Sequence, residues 1–194
     1  MPQPVLETAR LRLRPFTDGD AGRVRLLAGD AAVARGSILI PHPYPPGLAE
    51  RWIATHASQW QQGHGVYYAI TQQSYGILIG SISLHLEERR QASGAICYTG
   101  TMGYWLGQLY WGAGLMTEAA QALLAFAFLE LGVDRIEACH GADNPASGRV
   151  MEKCGLLFEK ERQDARYRQP LREYAADWSQ IKNSIKSDTY KIIN

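Results

Sequence analysis

The strongest constraint on the fold lies between Met102 and His140. A strand ends at Tyr104-Trp105-Leu106, and a glycine-rich turn runs from Gly107 to Gly114. An apolar helical stretch continues to Leu131, and Arg135 to His140 reads as a strand again. Gly132 stops the helix in the usual C-terminal position. A strand, a helix and a second strand joined in this way form a right-handed parallel crossover. The helix N-terminus then lies at the carboxyl ends of the strands, where α/β sheets bind ligands.

The rest of the chain builds around this unit. Leu11, Leu13 and Phe16 alternate with Arg10, Arg12 and Arg14, which predicts a strand with one apolar and one basic face. Asp18 to Asp20 break it and lead into a helix through Leu27. Pro41 to Gly47 is a stiff loop, and one helix is expected from Leu48 to Gln61. Val66–Thr71 and Ile77–Leu86 read as two strands, followed by a charged hairpin or loop over Glu87 to Ser93. Asn144-Pro145 opens a helix that ends at Gly155, with asparagine as N-cap and proline at the first helical position. Late strands are expected near Leu156–Glu161 and Tyr174–Trp178, and Asn183 to Asn194 reads as a tail. The order predicts a single α/β (α+β) domain over residues 6–180 with a mixed sheet, and a C-terminal tail over 181–194.

Composition narrows the function. The 194 residues are 46% hydrophobic, enough for one cored domain, and the net charge of +1 argues against nucleic acid as a partner. Three cysteines without a C-x-x-C pair favour a reducing, cytoplasmic setting. The five histidines have no metal-ligand spacing, and the most apolar run, Ala119 to Leu131, is too short to span a membrane.

Two segments carry chemistry. In Trp111-Gly112-Ala113-Gly114-Leu115-Met116-Thr117, a G-x-G turn opens a helix, and free amides plus the helix dipole suit a pyrophosphate. A plain tight turn accounts for the same residues. A P-loop lysine is absent, and Thr117 stands where a dinucleotide fingerprint needs its third glycine. One crossover later, Asn144-Pro145-Ala146-Ser147 places a serine hydroxyl at the same sheet edge, although Asn144 and Ser147 can also serve only as caps.

In combination, Gly103-Tyr104-Trp105-Leu106, Tyr110-Trp111-Gly112-x-Gly114-x-x-Thr117-Glu118-Ala119, Asn144-Pro145-Ala146-Ser147 and Glu152-Lys153-x-Gly155 resemble the GNAT N-acetyltransferase superfamily. The opening Leu6 to Pro15 and the Pro-Tyr-Pro loop are similar to its RimJ/RimL-like ribosomal-protein branch. The resemblance implies a splayed, mixed and mostly antiparallel sheet flanked by helices, with acetyl-CoA as co-substrate. Its pantetheine arm would lie between the strands at Met102–Leu106 and Arg135–His140, bonded to Met102, Tyr104 and Leu106. Its pyrophosphate would sit on the amides of Trp111, Gly112, Ala113, Gly114, Leu115, Met116 and Thr117. Asn144 would hold the arm, and Lys153 would approach the nucleotide. Leu109 replaces the Gln or Arg with which many members begin the loop, and Met151 replaces their tyrosine acid. The RimJ/RimL-like branch instead has a serine at the position of Ser147.

The implied reaction is direct acetyl transfer to a primary amine. The leading acceptor is a protein N-terminal α-amine. Small amines, and an acyl-CoA sensor without turnover, remain open, and such a fold leaves room for a homodimer. Ser147 is the candidate catalytic donor to the leaving thiol, and strand amides near Met102 to Tyr104 would hold the oxyanion. Glu161, Glu137, His85 and a water relay are the options for a base; Arg166 occupies the position where some relatives have glutamate. Cys97, Cys139 and Cys154 read as core fillers, and Trp52, Trp60, Tyr67 and Tyr68 as core or pocket wall.

Overall fold

The computed structural model describes residues 2–90, 94–164, 167, 169–182 and 189–193. Among these residues nine strands form one open sheet: β1 (Val5–Glu7), β2 (Leu11–Arg14), β3 (Gly65–Gln72), β4 (Leu78–Arg90), β5 (Ile96–Leu106), β6 (Arg135–Gly141), β7 (Leu157–Arg162), β8 (Leu171–Asp177) and β9 (Lys191–Ile193). Their spatial order is β7-β8-β6-β5-β4-β3-β2-β1-β9. Every described pairing is antiparallel except that of β5 with β6. Period-two alternation explains β2, where Leu11 and Leu13 are fully buried while Arg12 between them is exposed, whereas β3 and residues 78–84 of β4 are largely buried on both faces.

Helices cover both faces. On one side lie α5 (Leu115–Leu129) and α6 (Pro145–Lys153). Ala119, Ala120, Ala122 and Ala127 let α5 approach the sheet closely, and Leu123, Leu124 and Phe126 fill the space between, with Ile82, Leu84, Met102 and Ile136 opposite. On the other side, α1 (Ala21–Ala28), α2 (Ala31–Gly36), α3 (Leu48–Ala54) and α4 (His56–Gln61) gather over the N-terminal strands. Val24, Ala28, Ala49 and Ile53 pack there on Ala69 and Leu78. No helix among the described residues is long and apolar enough to cross a membrane.

Four features depart from the sequence reading. The single helix expected over 48–61 breaks at Thr55, whose hydroxyl donates to the Trp52 carbonyl (2.7 Å) while the Ser58 hydroxyl donates to the Thr55 carbonyl (2.9 Å). Such bonds compete with the helical ladder. The strand expected to end at Leu86 runs on through the charged stretch Glu87–Arg90, which pairs with Ile96–Thr99 as a hairpin arm, the first of the two readings for this stretch; residues 91–93 lie outside the described set. Its charges cancel on the open face, where Arg89 bonds Glu87 and Glu137. The short α2 was not expected; Asp30 caps it by accepting from the amides of Ala32 and Val33. Finally, part of the predicted tail is structural: Ile181 is fully buried at the end of α7 (Trp178–Ile181), and β9 pairs with β1.

Candidate active site

The β5–β6 pairing is short. It joins Thr99–Met102 to Arg135–Ala138 and stops. Beyond it, Gly103–Leu106 stay with β4 and Cys139–Gly141 stay with β8. The sheet therefore opens into a V whose edges are the backbones of β5 and β6. The side chains of Met102 and Leu106 are buried in the core, so what these residues offer the opening is main chain. The carbonyl of Leu106 already accepts the Trp111 indole N–H at 2.7 Å, which ties the loop to the strand end.

At the mouth of the V, the loop turns through Gly112 (φ +76°) and Gly114 (φ +74°), a backbone that side-chain-bearing residues rarely adopt. Among the described residues, none accepts a hydrogen bond from the amides of Gly112 through Thr117. A Cβ built on Gly112 would meet nothing within 4 Å, so the loop faces open space. These amides and the positive end of the fifteen-residue α5 make a cradle for an anionic group. Glu118 in the first helical turn accepts from the Thr8 hydroxyl (2.6 Å), the Arg10 amide (2.8 Å) and Arg10 Nε (2.6 Å). Burial pushes its carboxyl up, but these bonds outweigh that and hold it below the usual carboxylate range.

The first turn of α6 forms the second wall. Ser147 is half-buried, and its hydroxyl and carbonyl oxygens both lie 2.9 Å from the Tyr104 hydroxyl. The phenol has one proton; when the Ser147 carbonyl takes it, the serine hydroxyl donates to the phenol oxygen. Burial pushes the Tyr104 phenol far up, only partly offset by the bond to Ser147, so it stays protonated. The role of the Tyr104 side chain was missed from the sequence, where only its backbone stood out. Gly148 allows this closeness: a Cβ there would lie 2.7 Å from His140 Nε2. Asn144 accepts from the Ser147 amide (3.3 Å) and donates through Nδ2 to the Gly36 carbonyl (2.7 Å). It is both the helix cap and a tie to the end of α2. Lys153 is exposed at the far end of α6, about 9 Å along the axis from Ser147.

The candidate bases separate. Glu137 is held by Arg89 (3.1 Å to both oxygens) and Arg135 (3.1 Å). Glu161 is exposed and pairs with Arg172 at 3.2 Å. His85 is half-exposed, with Nε2 3.6 Å from Glu87. Arg166 lies outside the described residues. Cys154 is the buried filler expected, its thiol pushed up to about 12 by burial, whereas Cys97 and Cys139 are only half-buried. Trp52 and Tyr67 form an aromatic cluster with Phe16 and His56, and Tyr68 is fully buried. A pocket of about 180 Å3 lies beside Asn144, lined by Arg35–Ile38, Gly141, Tyr167, Gln169 and Leu171. A larger one of about 450 Å3, at Ile96, Cys97, Asp134, Arg135 and Asp177, lies at the other end of these strands, away from the V.

Residues 10–157, most of the chain and the span that holds β5, the loop, α5, β6 and α6, match the family described as Acetyltransferase (GNAT) domain. The chain belongs to the GNAT acetyltransferase family. It is 31% identical over 158 residues to the uncharacterized N-acetyltransferase YoaA of Bacillus subtilis (strain 168), covering 81% of this chain and 84% of that one. Over 92 residues, 47% of each chain, it is 34% identical to the putative ribosomal N-acetyltransferase YdaF of the same organism. The solved structure of RimL, a ribosomal L7/L12 alpha-N-protein acetyltransferase in complex with coenzyme A, superposes with a TM-score of 0.74 at 18% identity, over 90% of this chain and 98% of that one. At that identity the GNAT fold is what the two share.

Proposed function

We propose that this GNAT protein transfers an acetyl group from acetyl-CoA to a primary amine, with a protein N-terminal α-amine as acceptor. The V between β5 and β6, with the unpartnered amides of Gly112–Thr117 at its mouth, carries this reading. It fits an extended arm ending in a diphosphate: unpaired strand edges suit the arm, and the loop suits the anion. RimL, of the same fold, is named for such an acceptor and holds coenzyme A.

Acetyl-CoA supplies the activated acetyl thioester. Backbone amides of β5 near Met102–Tyr104 polarise the carbonyl oxygen. The Ser147 hydroxyl donates a hydrogen bond to the departing thiolate, and the Tyr104 phenol, 2.9 Å away, donates to the serine oxygen and so orients it. The acceptor enters by the pocket beside Asn144, where Arg35 is the charged side chain among its described lining residues. Its cation and the N-terminus of α6 favour the neutral form of a nearby amine. An α-amine, with a reference pKa of ~8, needs far less help than lysine at ~10.4. With Glu137 and Glu161 each held by arginine, His85 is the side chain left to take the proton, directly or through water.

The size of that pocket, about 180 Å3, favours a second reading in which the acceptor is a small amine such as an amino acid. Thiol release from acetyl-CoA, measured against N-terminal peptides and small amines, separates the two. Peptide turnover that drops roughly 100-fold in Ser147→Ala is the expected result. Turnover on small amines alone would replace the acceptor, and no turnover with any amine would sink the enzymatic reading.

A further inference from the structure

We infer that Arg10 supplies a side-chain contact to the diphosphate of acetyl-CoA that Leu109 of the loop does not; this rests on the reading that acetyl-CoA binds in the V. Leu109, at the start of the loop, is 91% exposed and carries no polar side-chain atom. Arg10 comes from the turn between β1 and β2, far away in sequence, and reaches the same place. Its Nε donates to Glu118 (2.6 Å) and its Nη1 to the Ala113 carbonyl (3.0 Å). Its Nη2 has no acceptor among the described residues and lies 3.7 Å from the point where a Cβ on Gly114 would stand. Two of the three guanidinium nitrogens thus fix the plane, and the third is turned toward the glycine of the cradle. The side chain is half-exposed, so an arriving phosphate can reach it.

The geometry also resolves an electrostatic conflict. Glu118 puts a carboxylate in the first turn of the helix that must receive an anion. Arg10 and Thr8 take up both of its oxygens. The planar fork of arginine can hold Glu118, Ala113 and a phosphate oxygen together, which a lysine ammonium cannot do with the same reach.

S-acetylpantetheine carries the same thioester without the diphosphate, so the ratio of kcat/KM for acetyl-CoA to that for S-acetylpantetheine isolates the contact. Arg10→Ala should lower this ratio roughly 10- to 100-fold, mainly through KM for acetyl-CoA, as loss of a charge-assisted hydrogen bond predicts. Arg10→Lys, which keeps the charge, should fall between. A ratio unchanged within about twofold, or equal losses with both donors, would make Arg10 a scaffold residue and overturn the inference. A wild-type protein that used neither donor would instead overturn the reading of the V itself.

Discussion

Ser147 and Tyr104 show how a hydroxyl is made directional by burial. The Tyr104 phenol cannot ionise in its surroundings, so it can only exchange hydrogen bonds with Ser147. Burial acts differently on His56. Its ring stacks on Tyr67 (4.3 Å between centroids) and packs against Trp52 and Phe16, and both ring nitrogens lack hydrogen-bond partners among the described residues. Burial lowers its pKa from 6.5 to about 4. Above pH 6.5 the ring is neutral in both the folded and unfolded states. As pH falls toward 4, the unfolded chain takes up the proton first, so stability is lost in that window, by about 3 kcal/mol. Denaturant titrations from pH 7 to 4 should show this loss, and His56→Phe should remove it. An equal pH dependence in His56→Phe would place its origin elsewhere.

Among the elements, the loop before α5 has the most direct link to the proposed function. Gly112 (φ +76°) and Gly63 (φ +71°) share a left-handed backbone, and both have open space where a Cβ would stand. Alanine at either position should cost a similar 1–2 kcal/mol or so of stability. Only Gly112→Ala, in the cradle, should weaken acetyl-CoA binding; calorimetry on the two variants would contradict the cradle if they bound alike. This loop, α5, β6 and α6 were legible in the sequence because their signals are local: two glycines, an apolar run, an Asn-Pro cap. The break at Thr55 was not, because apolar periodicity continues across it while hydroxyls share the carbonyls of Trp52 and Thr55 with backbone amides. The three-residue β1 and β9 were not either, since each is short and their pairing joins opposite ends of the chain.

At the scale of the whole molecule, one event organises the rest: β5 and β6 part after Met102 and Ala138. The fold class and the crossover were readable from element order. The parting itself was implied by resemblance alone, because it is set by which neighbour each strand follows. The contacts that complete the site span the chain, Arg10 to Glu118 across 108 positions and Tyr104 to Ser147 across 43, and no local pattern announces them. The central claim is that acetyl-CoA lies in this opening. The most direct test is an amide NMR titration of the protein with acetyl-CoA. The largest shifts should fall on Gly112–Thr117 and Gly103–Leu106, with smaller ones near Ser147. Shifts confined to the pocket at Ile96, Asp134 and Asp177, or no shifts at all, would contradict it.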